Sequence, residues 1–91
     1  MWLKCQVLPG QFSGEFAIRG KLFNNSDFSL FAERNDVKFT DEPSIDKFVD
    51  GWLKITVGSQ QGDLLLVALP QPSFENGQTI TVKRDQVREQ I

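Results

Sequence analysis

Both tryptophans of this chain begin the same short pattern, Trp-Leu-Lys followed by a valine five positions after the tryptophan. The pattern occurs at Trp2 and again at Trp52, which is an offset of 50 residues. A rare residue that recurs with the same neighbours indicates an internal duplication, and a repeat has to be recognised before strands and helices are assigned. The sequence therefore predicts two similar units rather than one irregular chain.

The predicted units span residues 2–37 and 52–87. Their alignment needs a first loop that is two residues longer in the first unit, which pairs Phe16 with Leu64, and a compensating difference in the next loop. Coincidence is the alternative, because short strands resemble one another and a gapped alignment finds some matches. The gaps fall in loops, where insertions are tolerated, and this favours duplication.

Each unit has the pattern of three β-strands. In the first strand Leu3, Cys5 and Val7 alternate with other residues, which is the period of two expected for a half-buried strand. Residues 24–27 are Asn-Asn-Ser-Asp, a typical hairpin turn. The residues predicted to face the core are Leu3, Cys5, Val7, Phe16, Ile18, Leu22, Phe28, Leu30 and Ala32 in the first unit and Leu53, Ile55, Val57, Leu64, Leu66, Ile80 and Val82 in the second.

The segment between the units has a different pattern. Pro43 suits the first turn of a helix, and Ile45, Phe48 and Val49 are spaced three and four residues apart. We therefore expect a short amphipathic helix over residues 42–49. A C-terminal turn is expected after Asp85, with Val87 and Ile91 on one face.

A three-stranded meander is marginally stable alone, so the two meanders should pack together about a pseudo-twofold axis. The predicted fold is mainly β, a small six-stranded antiparallel barrel or sandwich with the connecting helix and the C-terminal turn. Residues 1–91 should form a single domain, because a chain of 91 residues buries one modest core.

The residue types exclude most familiar catalytic sites. The chain has no histidine and one cysteine, so it cannot build a Ser-His-Asp triad, an imidazole metal site or a thiolate zinc site. Cys5 is predicted to be a buried, inert thiol. Glu15 and Asp63 occupy equivalent positions and could form a carboxylate dyad, although a turn residue is the simpler interpretation. We expect no enzyme activity and no cofactor or metal site.

Charge and apolar patterning bear on partners and location. Ten basic and twelve acidic residues give a net charge of -2, which makes nucleic acid an unfavourable partner. The longest apolar run, residues 64–69, is too short to cross a bilayer, so no membrane anchor is expected. A single cysteine fits a reducing compartment, and we expect the protein to be cytoplasmic.

The predicted interaction surface consists of apolar side chains that alternation places outside the core. Trp2 and Trp52 point outward, and tryptophan is enriched where binding energy concentrates. Both faces of the strand over residues 63–69 are apolar, so its second face needs cover from the predicted helix, from a second copy in a homodimer or from a protein partner. The candidate residues are Trp2, Trp52, Phe31, Leu65, Val67 and Leu69.

These features predict a non-catalytic protein–protein interaction module. The alternative is a binder of a small ligand or of single-stranded nucleic acid that uses the Trp2 and Trp52 face, where Lys4 and Lys54 also lie. A carboxylate-based enzyme is the third hypothesis.

Overall fold

A computed structural model describes all 91 residues and contains nine strands. They are β1 (Trp2–Pro9), β2 (Glu15–Lys21), β3 (Asp27–Glu33), β4 (Val37–Phe39), β5 (Val49–Lys54), β6 (Thr56–Gln61), β7 (Leu64–Ser73), β8 (Gly77–Lys83) and β9 (Val87–Arg88). Two 3-10 turns, Arg34–Asp36 and Arg84–Gln86, precede β4 and β9. No helix is long and apolar enough to span a membrane.

The strands form two antiparallel sheets. The larger sheet has the order β3-β2-β1-β5-β4, with β9 also paired to β1, and the smaller sheet has the order β6-β7-β8. The prediction of a mainly β, antiparallel fold is confirmed. The sheets do not close into a barrel, and there are nine strands rather than six.

Two backbone hydrogen bonds join the edges of the two sheets. The Phe74 N–H donates to the Ser29 carbonyl at 2.9 Å, and the Phe23 N–H donates to the Thr81 carbonyl at 3.0 Å. Each bond connects a hairpin end of one sheet to an edge strand of the other. Neither bond is extended into a ladder of strand pairs, so the two sheets remain separate at both edges.

The centre of the larger sheet is the pairing of β1 with β5, in which Leu3 lies opposite Leu53. On the outer side of β5, Val37 of β4 lies opposite Leu53, and on the outer side of β1, Val87 of β9 lies opposite Leu3. An offset of 50 residues converts the first of these pairs into the second. The short strand that begins at the final residue of each predicted unit therefore pairs with the first strand of the other unit.

Residues from both sheets form one hydrophobic core of 18 buried residues. Most of the predicted inward positions are buried, whereas Leu22 and Val57 are only partly buried against this core. The buried residues are Leu3, Cys5, Val7, Phe16, Ile18, Phe28, Leu30, Ala32, Val37, Val49, Leu53, Ile55, Leu65, Val67, Leu69, Ile80, Val82 and Val87.

The predicted orientation of β7 was wrong. Leu65 and Val67 are buried, whereas Leu66 is 43% exposed. A strand that is apolar on both faces has no alternation from which its inward face can be read, so its register is set by its partner strand. Pairing with β8 places Leu65 opposite Val82. Leu65, and not Leu64, therefore shares the inward orientation of Phe16. The predicted alignment is shifted by one residue in this strand, which reverses the orientation of every side chain of β7.

The predicted helix over residues 42–49 does not form. Ser44 and Lys47 make an isolated antiparallel bridge around a tight turn, and Ile45 is 88% exposed. A helix of eight residues depends on packing of its apolar face, and Val49 instead pairs with Val7 in the ladder between β5 and β1. The predicted common face of Val87 and Ile91 is also wrong, because Val87 is buried and Ile91 is exposed.

Candidate binding surface

Both tryptophans lie on the outward face of the larger sheet and are half-buried. Each tryptophan has a basic residue opposite it on both neighbouring strands, and this arrangement forms two parallel rows. We call these six residues the basic Trp patch; its rows are Lys38–Trp52–Lys4 and Lys54–Trp2–Arg88.

Two of the cations lie over the tryptophan rings of the opposite row. Lys38 Nζ is 4.6 Å from the ring centroid of Trp2, and Arg88 Cζ is 5.8 Å from the ring centroid of Trp52. A cation above the ring face of tryptophan is attracted by the ring quadrupole, by about 0.5–1 kcal/mol at an exposed site. These contacts fix the rings across the sheet and leave their remaining surface accessible.

No carboxylate forms an ion pair with a residue of the basic Trp patch. The two ion pairs of the structure are Lys21 with Asp27 and Arg34 with Glu42, and neither includes a residue of the patch. Four of the ten basic residues therefore surround the two tryptophans, and Asp50 is the acidic residue of β5 on the same face, two positions before Trp52. A local positive potential on an otherwise acidic protein follows from this distribution.

The positive surface continues into a polar cleft of about 550 Å³. The cleft begins at Lys4, where β1 passes from its pairing with β9 to its pairing with β2. Its walls include Arg19 and Lys83, but also the carboxylates of Asp50 and Asp85. The cleft is therefore of mixed charge, and Lys4 is the residue that it shares with the basic Trp patch.

The predicted surface residues do not lie together. Trp2 and Trp52 share one sheet face, whereas Phe31 lies on β3 at the sheet edge and packs edge-on against Phe74 at 5.6 Å between ring centroids. The predicted surface residues Leu65, Val67 and Leu69 are buried in the core, and they cannot contact a partner. The reason is the reversed orientation of β7 described above.

Sequence reasoning missed Lys38 and Arg88, which complete the patch. A signal for them was present, because each follows a valine that the predicted alignment of the units matches, Val37 or Val87, at the same offset of 50 residues. The alignment matched those valines but did not show that the strands carrying them would lie beside the tryptophans of the opposite unit.

The other reactive groups considered in the sequence are Cys5, Glu15 and Asp63. Burial, with a smaller contribution from the Asp50 carboxylate, raises the pKa of the Cys5 thiol to about 12. Glu15 is the first residue of β2 in the larger sheet, whereas Asp63 lies in the turn between β6 and β7. No group of three or more His, Cys, Asp or Glu side chains is placed to hold a metal ion.

Comparisons of the chain with protein-family models, with curated proteins and with solved structures find no match.

Proposed function

We propose that the protein is a non-catalytic protein-interaction module and that its basic Trp patch binds an acidic segment of a partner protein. The observation that carries this proposal is the presence of four basic side chains without carboxylate partners around two half-buried tryptophans on one sheet face. Tryptophan and arginine are the residue types in which binding energy concentrates at protein interfaces.

The two residue types have different tasks in this proposal. Exposed ion pairs contribute about 0–1 kcal/mol each, so the four cations mainly steer and orient an acidic partner. The tryptophan rings supply the apolar contact area, because each ring has a large surface of which part is still open to solvent. Carboxylates of the partner would occupy the positions that no acidic residue of this chain occupies.

Tryptophan fluorescence tests the proposal directly. The chain has no tyrosine, and both tryptophans belong to the patch, so intrinsic emission reports on this surface. We expect a decapeptide of Asp, Glu and Leu to change the emission in a saturable way, with an affinity that falls as salt rises. Lys54→Glu should weaken binding of the peptide by about tenfold. Lys47→Glu, the same charge change in the exposed turn, should leave it intact, and equal effects of the two variants would refute the proposal.

Single-stranded nucleic acid is the second candidate ligand. It is favoured by the continuation of positive charge from Lys4 into the cleft, beside rings on which bases could stack at about 1–3 kcal/mol per base. Asp50, Asp85 and the sequence pI near 5.0 oppose a long polyanion. The same fluorescence titration with a decamer of thymidylate separates the candidates: tighter binding of the oligonucleotide than of the acidic peptide would replace the first proposal.

We also propose that the patch arose by duplication of one unit. Each unit contributes a tryptophan and the lysine two residues later, and one cation, Lys38 or Arg88, directly follows the final residue of the unit. The offset of 50 residues that relates the pair Val37–Leu53 to the pair Val87–Leu3 supports this origin. Lys38→Glu and Arg88→Glu should then weaken binding of the acidic peptide to a similar extent, within about threefold.

A cytoplasmic location belongs to the same proposal. The only cysteine is a buried free thiol, so the fold has no requirement for an oxidising compartment. Fractionation of the native host would test this location.

A further inference from the structure

A second candidate surface lies along the outer edge of β3. A groove of about 610 Å³ lies between this edge and the end of β7. Its walls include Phe12, Phe31, Glu33 and Gln71. Phe12 is 71% exposed, which is unusual for a phenylalanine, and contiguous exposed apolar surface marks interaction sites.

Along this groove, the backbone groups of β3 that point away from β2 are not paired with another strand. The Ser29 N–H and carbonyl point away from β2, since they bond to the Glu75 carboxylate at 2.8 Å and to the Phe74 N–H at 2.9 Å. Backbone groups of every second residue in a strand point to the same side. The N–H and carbonyl groups of Phe31 and the N–H of Glu33 therefore also face the groove, whereas the Glu33 carbonyl accepts the first hydrogen bond of the 3-10 turn Arg34–Asp36.

Two prolines explain why β7 does not pair with this edge. Continued antiparallel from the bond between Phe74 and Ser29, the end of β7 would place Pro72 opposite Phe31 and Pro70 opposite Glu33. Proline has no N–H to donate to a ladder. The sequence of β7 thus keeps the edge of β3 open.

In the second unit, hydrogen bonds of a glutamine side chain close the corresponding strand edge. Gln86 accepts a hydrogen bond from the Lys83 N–H at 2.7 Å and donates to the Lys21 carbonyl at 2.8 Å, which links the second 3-10 turn to the end of β2. The residue at the offset of 50 is Asp36. An ionised carboxylate cannot donate a hydrogen bond to a carbonyl, so the first unit lacks this link.

We propose that an extended segment of a partner protein, apolar with interspersed basic residues, adds to β3 as a further strand in this groove. Its backbone pairs with the N–H and carbonyl groups of Phe31 and with the N–H of Glu33, which is the β-addition mode of peptide recognition. Its apolar side chains contact Phe12 and Phe31. Its basic residues face Glu15 and Glu33, since Arg34, the cation among the groove residues, already pairs with Glu42 at 3.9 Å.

The probe for this proposal is a capped heptapeptide of alternating Lys and Val, added to uniformly ¹⁵N-labelled protein. We expect saturable shifts at the amides of Phe31 and Glu33 and slower hydrogen exchange of these two amides on binding. An otherwise identical peptide of Glu and Val should bind at least about tenfold more weakly because of the acidic groove residues. The absence of shifts at these amides with millimolar Lys-Val peptide, or equal binding of the two peptides, would overturn the proposal.

Substitutions at Glu33 separate backbone pairing from side-chain contact. The φ angle of Glu33 is -83°, close to the value that proline requires, so Glu33→Pro removes the edge N–H without a new backbone conformation. We expect Glu33→Pro to weaken the Lys-Val peptide about tenfold or more, and Glu33→Ala, which keeps the N–H, to retain most of the affinity. Equal losses in the two variants would exclude strand addition. Phe12→Ser, at a largely exposed position, tests the apolar contact without risk to the core and should also weaken binding.

Discussion

Leu3 and Leu53 lie directly opposite each other at the centre of the larger sheet, and both are fully buried. On their outer sides they pair with Val87 and Val37, so a row of four buried side chains crosses β4, β5, β1 and β9. Two of the four come from each predicted unit. Each unit therefore depends on the other for the partner of its last strand, and neither unit is expected to fold alone.

Truncation of this central pair should be strongly destabilising. Leu3→Ala and Leu53→Ala each leave a cavity in the core, and we expect each to lower the free energy of unfolding by about 2–5 kcal/mol. Because the two side chains are in contact, the double variant should not equal the sum. Urea denaturation followed by circular dichroism measures all three. A loss below about 1 kcal/mol for either single variant would contradict the central position of the pair.

The two 3-10 turns should respond differently to the same truncation. Gln86→Ala removes two hydrogen bonds that link the turn to Lys83 and Lys21, and we expect a loss of about 1–2 kcal/mol in the free energy of unfolding. Asp36→Ala, at the equivalent position, should change it by less than about 0.5 kcal/mol. Thermal unfolding of the two variants side by side decides the point, and equal losses would contradict the asymmetry between the units.

Gly51 is required by close backbone packing. A Cβ atom there would lie 2.7 Å from Val7 Cγ2 and 2.8 Å from the Lys38 carbonyl oxygen. A carbonyl in the ladder of β4 with β5 cannot move freely, so Gly51→Ala should lower the free energy of unfolding by about 1–3 kcal/mol. Gly58→Ala is the control, since its nearest neighbour would be the Leu66 carbonyl oxygen at 3.4 Å. Urea denaturation should show a much smaller effect there.

Cys5 should make stability dependent on alkaline pH. Burial raises its pKa from 9.0 to about 12 in the folded protein, so the unfolded chain loses the thiol proton first. The stabilising contribution is complete below pH 9 and is lost as pH rises towards 12. Between pH 8 and pH 10 the stability difference between wild type and Cys5→Ala should shift against wild type by about 1 kcal/mol.

A thiol reagent should label the native protein only on unfolding; rapid labelling would contradict the burial of Cys5.

The success of sequence reasoning followed the strength of alternation in each strand. In β1, Leu3, Cys5 and Val7 alternate with polar or exposed residues, and their inward orientation was predicted correctly. β7 has leucine, valine and alanine on both faces, so the sequence contains no local signal for its orientation. Hydrogen bonding to β8 sets the orientation of β7, and the pairing of Leu65 with Val82 joins residues that are distant in the sequence.

The other differences also have long-range causes. The spacing of Ile45, Phe48 and Val49 is compatible with a helix, but β1 takes Val49 and Gly51 into its ladder. The tryptophans of the candidate surface were predicted to face outward, whereas Lys38 and Arg88 reach the patch only because the last strands pair across the units. Pairing of a strand with the opposite predicted unit leaves no signal in the local sequence pattern of either strand.

Pro70 and Pro72 of β7 lack the N–H groups that a ladder with the edge of β3 would need. Pro72→Val restores an N–H at the position that would face the Phe31 carbonyl, next to the existing bond between Phe74 and Ser29. We expect the new amide at position 72 to be protected from hydrogen exchange and the free energy of unfolding to rise by about 0.5–1.5 kcal/mol, the net value of one hydrogen bond. Pro9→Val, at the exposed end of β1, is the control for the general effect of removing a proline. If the amide at position 72 exchanges as fast as in an unfolded chain, proline is not the reason why β7 and β3 stay apart.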